Sequence, residues 1–452
     1  MMIQTLLDRF TQQTPVAVMV RAMLANVWSD QKIDDIFRNT AVRQKDGDLL
    51  FSTVVNLLHL AVFKIKPSLH SAYKSRREEV GFSITAIYDK LAGAELTVSR
   101  QLVKQTADSM REIYDALGTP RRVILPGYDV RVLDGSHLRA TEHRLDVHRM
   151  INGAPLPGQA LVVLDPQRQL IEDMYPDECG HKQERLILHE LINDLQPGIV
   201  WYADRNFCTS VFLQEIALAK SWFVIRRHAS FSYTEVNKRI KVGRTSTGTV
   251  YEQAVIHEDS HGSKLSLRKI VIELDEPTSD GDTVIELLTN LPVDVSGSVI
   301  ADSYRSRWSI EGVFGELTLS LNGEINTLAY PPAAIIAYAL ALISFNVLTL
   351  VRASVEVVHG KETADSMSTY HMAEEVSSTD QGMMIAIPLT SWQRKFGSLR
   401  PPEMADELKR MAREVEIRRY RKSARGPKKP KAKRTGSFQH VSTQKLLAQQ
   451  KR

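Results

Sequence analysis

The chain has 452 residues, 43% of them hydrophobic and 25% charged, and a formal net charge of +5. That balance excludes a collagen-like, disulfide-stapled or largely disordered chain and leaves a globular protein of two or three domains. Its two cysteines, Cys179 and Cys208, lack a Cys-x-x-Cys or Cys/His setting, so they read as reduced core residues of a cytoplasmic protein and not as a zinc site.

Residues 1–120 read as helical. LLDRF, VAVMVRAMLANVW and LLFSTVVNLLHLAVF repeat apolar residues at steps of three and four. Ser83–Leu117 holds two more helices, with Thr97 as N-cap of the second. The opening stretch carries charge inside its apolar run, so no signal peptide is expected. Lys74, Arg76, Arg77, Arg100 and Lys104 are phosphate-contact candidates here, with a solvated face as the plainer alternative. We assign 1–120 as a helical N-terminal domain, to which the family resemblance given below adds an expected DNA-binding role.

The texture changes at Pro120. RVIL (122–125), VRVL (130–133), ALVVL (160–164) and IVWYA (199–203) are short and rich in β-branched residues, and Lys182–Leu195 between them has helical period. Strand, helix and strand in succession point to an α/β core. Two of the strands run straight into an acid: VRVL into Asp134 and IVWYA into Asp204. An acid at a strand end sits on a rigid element beside the loops where sites are built.

From Trp222 to Ser298 the sequence is again strand-rich, as a β insertion between Asp204 and the helical segment that follows. It carries Arg226, Arg227, His228, Lys238, Arg239, Lys241 and Arg244 among Phe231, Tyr233 and Tyr251. Basic residues interleaved with aromatics suit a nucleic-acid backbone and an unstacked base.

Ala301–Leu321 then reads as one helix on which Tyr304, Arg307 and Glu311 share a face, while Ile310, Val313, Phe314 and Leu317 sit on the core face. An intrahelical salt bridge is the plain reading of that spacing. With the two strand-end aspartates, however, Glu311 completes three carboxylates on three separate elements. Ala333–Val351 is apolar enough to resemble a membrane span, but Pro331 and Pro332 start it and Ser344, Asn346 and Thr349 interrupt it, so a buried helix is expected. Residues 358–417 read as further helix. Residues 418–452 form a basic tail, with ten Lys/Arg and no acid in Arg418–Arg434. Its expected use is attachment to phosphates, with Lys428 and Lys429 at its centre. No Walker loop or GxGxxG occurs, so nucleotide hydrolysis has no support.

Three carboxylates with oxygen-only chemistry favour Mg²⁺ or Mn²⁺. Two such ions about 3.5–4 Å apart activate an attacking oxygen and stabilise the leaving one in phosphoryl displacement. Asp134 is the expected bridging ligand, with Asp204 on one ion and Glu311 on the other. Arg307 would neutralise phosphate charge, Tyr304 would donate to a backbone phosphate, and Arg226 would contact DNA.

The set LDGS, YADRNF and Tyr304-x2-Arg307-x3-Glu311 resembles the DDE transposases of bacterial insertion sequences, and more narrowly the insertion sequence family four group with its Tyr–Arg–Glu–Lys signature. The resemblance spans roughly Arg121–Leu350. It implies a ribonuclease-H-like catalytic core over 121–357, interrupted by the β-rich insertion at 222–298, and cut-and-paste movement of DNA. It further implies double-stranded DNA partners, namely terminal inverted repeats and target DNA, a homodimer in the synaptic complex, and a nucleoid-associated location with no membrane. The fourth signature position is Thr318 instead of Lys, and no tryptophan lies between Trp222 and Trp308 to receive a flipped base. Two rivals stay open: another ribonuclease-H-like nuclease, and a catalytically degenerate or domesticated DNA-binding protein.

Overall fold

The apolar runs of the middle of the chain pair into one mixed sheet of ten strands. In the computed structural model, residues 2–45, 47–138, 145–148, 156–278, 281–423 and 442–450 are described. The strands are β1 (Asp129–His137), β2 (Gln159–Asp165), β3 (Leu170–Asp177), β4 (Ile199–Ala203), β5 (Trp222–Arg226), β6 (Thr234–Glu235), β7 (Ile240–Thr245), β8 (Gly248–Glu258), β9 (Lys264–Leu274) and β10 (Val284–Thr289). Their order is β3-β2-β1-β4-β5-β10-β9-β8-β6, with β7 also on β8.

β1, β2 and β3 are antiparallel neighbours, whereas β4 and β5 continue from β1 in parallel. This arrangement fits a ribonuclease-H-like core. The strand-rich region after β5 does not fold away as a separate sheet; β10, β9 and β8 extend the same sheet through antiparallel pairing with β5.

Strand side chains alternate between faces, and both faces of the central strands are covered. Val130, Val132, Val200, Tyr202 and Val224 join the core beneath the helices, whereas Leu133, Trp201, Ala203, Phe223 and Ile225 pack with Phe207, Phe212 and Ile216 on the other face. The helical side is organised around Pro331–His359, which begins with two prolines and is buried along its apolar length. By length and composition that helix is able to cross a membrane, yet its whole apolar window lies inside the protein. Helices Pro15–Val27, Leu96–Leu117 and Pro401–Ala412 pack on or near it in one continuous core. The N-terminal helices therefore share a core with the sheet.

Several expectations change. RVIL at 122–125 is irregular, not a strand, because Pro120 and Pro126 flank it and its backbone ties are Arg122 N–H to Gln167 and a local turn from Tyr128 N–H to Leu125. β3 was not expected; its run LIEDMYPD mixes acids and a proline with the apolar residues. Lys182–Leu195 forms only a 3₁₀ turn, Glu184–Leu186, and the short helix Leu188–Ile192. Helix Leu96–Leu117 is preceded by Glu95 at its N-cap, so Thr97 lies inside it. Ala301–Leu321 is not one helix but helix Gly297–Tyr304, a 3₁₀ turn Arg305–Trp308 and helix Ser309–Leu319.

Candidate active site

The register of β1 and β4 builds the site. These parallel strands pair through Leu133↔Ala203 and stop there. The next residue on each is an aspartate, so Asp134 and Asp204 stand side by side at the carboxyl ends of adjacent parallel strands, about 5 Å apart in strand spacing. The open end of such strands is where α/β sheets place their ligands. Asp134 is not at a strand end, as expected, but within β1: it still pairs with Val162 of β2 while its β4 neighbour has left. By alternation both aspartates lie on the face of Val132 and Tyr202, toward the helices.

Asp204 caps the following 3₁₀ turn, its Oδ1 accepting from the Asn206 N–H at 2.7 Å. Asp134 Oδ1 accepts from Gly135 N–H at 2.9 Å. The segment carrying Tyr304, Arg307 and Glu311 is fastened over β4. Tyr202 and Ser303 share a hydroxyl hydrogen bond of 2.5 Å, and the Tyr304 hydroxyl donates to the Ala203 carbonyl at 2.9 Å. Tyr304 is thus only 3% exposed and braces the strand end, where the sequence reading gave it a DNA phosphate. Burial pushes its phenol pKa up.

Arg307 crosses from that segment to the sheet. Its Nη1 donates to Asp134 Oδ2 at 3.2 Å and its Nη2 to Glu311 Oε1 at 2.7 Å. One buried guanidinium thereby joins the first and third acids of the expected set. Glu311 is 52% exposed at the side chain and Asp134 16%. Burial, and then the charges of Asp204 and Glu184, push the Asp134 carboxyl up to about 7 against the pull of Arg307.

Glu184 is the residue that the sequence reading missed. It stands in a 3₁₀ turn with no strand before it and no motif around it. Its Oε2 accepts from Asn206 Nδ2 at 3.4 Å and its Oε1 lies 3.8 Å from His137 Nδ1. Burial and the Asp204 charge raise its pKa. Among the described residues no lysine or arginine pairs with Glu184 or Asp204. Arg307 thus meets two of these acids, Asp134 and Glu311, while Asp204 and Glu184 are joined to each other through Asn206. The signal available in sequence was Gly135 beside Asp134, a position with no side chain in the middle of an apolar strand.

The donor set is all oxygen, which fits a hard divalent ion. Among the described residues, however, no three His, Cys, Asp or Glu side chains converge on one point. Arg307 explains part of this, because its guanidinium fills the space between Asp134 and Glu311. A shared ion there requires that side chain to move aside.

The other expected DNA contacts are differently placed. Arg226 Nη2 donates to Asp282 at 2.7 Å. Arg227, Arg239 and Arg244 are likewise paired, to Glu286, Glu273 and Asp275. Lys238 and Lys241 are exposed. Phe231 is buried against His257, Tyr233 lies between Arg227 and Lys269, and Tyr251 lies under Arg239. Arg100 is held by Asp173 and Asp194. Lys428 and Lys429 lie outside the described residues. A cleft of about 640 Å³ opens on the β-extension side, lined by His137, Glu184, Arg205, Asn206, Phe231 and His257.

No curated protein matches the chain. Among solved structures, it is similar to the cryo-EM structure of a piggyBac transposase synaptic complex with hairpin DNA. The identity is 10% and the TM-score 0.38, over 86% of this chain and 84% of that one, a likeness too loose to carry an argument. Residues 125–346 match the family model for the transposase DDE domain, a segment that runs from before β1 into helix Pro331–His359 and holds Asp134, Asp204 and Glu311, and this match supports a DDE transposase.

Proposed function

We propose that this protein is an insertion-sequence transposase that excises DNA by metal-dependent phosphodiester hydrolysis and joins the freed 3′ end to target DNA. The observation that carries the reading is the β1/β4 register, which sets Asp134 beside Asp204 beneath the Arg307–Glu311 pair. That placement lies inside the stretch matching the transposase DDE domain.

Asp134, Asp204 and Glu311 would hold Mg²⁺ or Mn²⁺. Bound divalent ions supply activation of the attacking oxygen and stabilisation of the leaving oxygen in an in-line displacement. The chain supplies the rest. Asp134, pushed up to about 7 by burial and the neighbouring acids, would hold the ion in its ionised form, which a nearby positive charge favours. Arg307 releases Asp134 and Glu311 and turns its guanidinium to the phosphate, for which its planar fork is suited. Tyr304 keeps the end of β4 in place through Ala203. The narrower family-four assignment rests on Tyr304, Arg307 and Glu311 at their spacing. In this reading the basic tail and N-terminal helices hold the inverted repeats in a homodimeric synaptic complex, in the cytoplasm at the nucleoid.

The test is Mg²⁺-dependent cleavage of the element's own ends by the wild type and by Asp134→Ala, Asp204→Ala and Glu311→Ala. Each substitution is expected to abolish cutting and spare DNA binding. Cutting near the normal rate by any one variant removes that residue from the site. A wild type that binds the ends and never cuts them, in Mg²⁺ or Mn²⁺, favours the degenerate DNA-binding reading, to which the unconverged carboxylates lend weight.

A further inference from the structure

The helical body encloses a pocket of about 400 Å³ that shares no residue with the acids of β1 and β4. Arg21 lines it from Pro15–Val27, His59 from Phe51–Val62 and Asp380 from Thr369–Ala386, while Arg76 lines it from the junction of Leu69–Ser75 and Arg77–Val80. These polar groups do not satisfy one another. His59 is only 6% exposed, yet neither of its ring nitrogens has a hydrogen-bond partner, and Arg21 Nε has none either. Asp380 is buried and acts on Arg21 and Arg76 through space, with no hydrogen bond to either among the described residues. Elsewhere in the fold, Arg100, Arg168 and Arg307 each grip a carboxylate directly. Buried donors and an acceptor held apart in this way cost free energy unless a bound group spans them. Burial accordingly lowers the Arg21 pKa and raises that of Asp380.

We propose that this pocket binds a phosphate group in its protonated, monoanionic form, as free phosphate or as a terminal phosphate monoester. Arg21, Arg76 and one ring N–H of His59 donate to the unprotonated oxygens, and the P–OH donates to Asp380. The planar guanidinium fork suits phosphate oxygens, and Arg76 is one of the phosphate-contact candidates read from the sequence. Burial, and then Arg21 and Arg76, lower the His59 pKa to about 3, so its ring is neutral at pH 7 and has one N–H to give. Lys66, whose Nζ donates to Gln381 at 3.1 Å, and exposed Glu79 complete the charged lining. Arg21, Lys66 and Arg76 against Glu79 and Asp380 leave one positive charge over, which matches a monoanion. Asp380 sets the selectivity, because its carboxylate accepts a P–OH and repels an anion that has no proton to offer. Sulfate and the phosphodiesters of a DNA backbone are both such anions.

The experiment is calorimetric titration of the full-length protein with inorganic phosphate and, in parallel, sulfate at constant ionic strength, with Tm recorded in each anion. Thymidine 5′-monophosphate against thymidine forms a second arm. The wild type is expected to bind phosphate about tenfold or more tighter than sulfate, since a site built to accept a ligand's hydroxyl rejects the analogue lacking it. Arg76→Gln should weaken phosphate about tenfold or more, as loss of a charge-assisted hydrogen bond does. Asp380→Asn should remove the preference for phosphate over sulfate. That ratio is taken within one variant, so a lowered Tm does not obscure it. Tighter binding of the monophosphate than of phosphate identifies a phosphate monoester as the occupant, and the reverse identifies free phosphate. A wild type that neither binds phosphate nor gains Tm in it overturns the proposal. Equal binding of phosphate and sulfate by the wild type, or phosphate binding that Arg76→Gln leaves unchanged, overturns it too.

Discussion

Two groups of buried acids in this molecule differ in one respect. Beside helix Leu96–Leu117, every buried aspartate has its own guanidinium. Arg100 grips Asp173 with two nitrogens, and Arg168 joins Asp165 at 2.7 Å while holding Asp115 with two more. At the end of β1 and β4, Arg307 meets Asp134 and Glu311, while Asp204 and Glu184 have no lysine or arginine partner among the described residues. The first arrangement closes its charge and serves the fold. The second leaves two acids without a basic partner, which is the electrostatic ground for the metal-dependent reading proposed above.

The largest effect that tests this contrast comes from matched substitutions. Asp165 is wholly buried and accepts from Arg168 and from the Gln167 and Arg168 backbone N–H groups, so Asp165→Asn breaks a buried ion pair, leaves Arg168 to Asp115 alone, and should cost about 3 kcal/mol in denaturant unfolding. Asp134→Asn should do the opposite at pH 8, raising stability by on the order of 2 kcal/mol while cleavage falls below detection. If Asp134→Asn is as damaging to stability as Asp165→Asn, the two groups are of one kind and the contrast disappears. Glu311→Gln should also end cleavage. Because Glu311 is half exposed, its Tm should hold to within about 0–1 kcal/mol of stability.

The pH dependence sets Asp134 against a buried group of the helical body, His59. Asp134 is raised in the fold to about 7, so the native state holds its proton more tightly than the unfolded chain. Its contribution is complete at acid pH and is lost as pH rises through about 7, with a slope of at most about 1.4 kcal/mol per pH unit. Buried His59, by contrast, is lowered to about 3 by burial and then by Arg21 and Arg76, and neither ring nitrogen has a hydrogen-bond partner. Its contribution is present above about 6.5 and is lost as pH falls toward 3. Urea midpoints from pH 4 to 9 should therefore lose, in Asp134→Asn, the destabilising contribution that builds up between about pH 4 and 7 and stays level above it, and soften their acid decline in His59→Leu. A profile that neither variant alters would refute both assignments.

Sequence reading reached the acids because their signal is local: an apolar strand that stops on an aspartate survives whatever packs around it. The helix starting at Pro331 was legible for the same reason. The partners of those acids were not legible. Arg307 was expected to face DNA, and its link to Asp134 joins residues far apart in the chain. Glu184 sits in a single turn of 3₁₀ helix, with nothing periodic to mark it. β3 was hidden because its acids Glu172 and Asp173 meet Arg111 and Arg100 of helix Leu96–Leu117, so its polar residues looked like a loop. The arginines of the β extension looked like a nucleic-acid surface, yet in the fold most meet acids on neighbouring strands.

The smallest expected effect decides what Tyr304 does. Its hydroxyl donates to the carbonyl of Ala203, the residue before Asp204, and its ring is buried against Tyr202. Tyr304→Phe keeps the ring and removes one buried hydrogen bond, which is worth about 1 kcal/mol of stability. If Tyr304 braces the strand end, the variant loses that much in urea, cuts more slowly because Asp204 is less firmly held, and binds the element's end with unchanged affinity and salt dependence. If it instead donates to a phosphate, stability is spared, while affinity drops and the dependence of binding on salt becomes shallower. The buried hydroxyl favours the first outcome, which would place Tyr304 with the fold-serving groups although it stands three residues from Arg307.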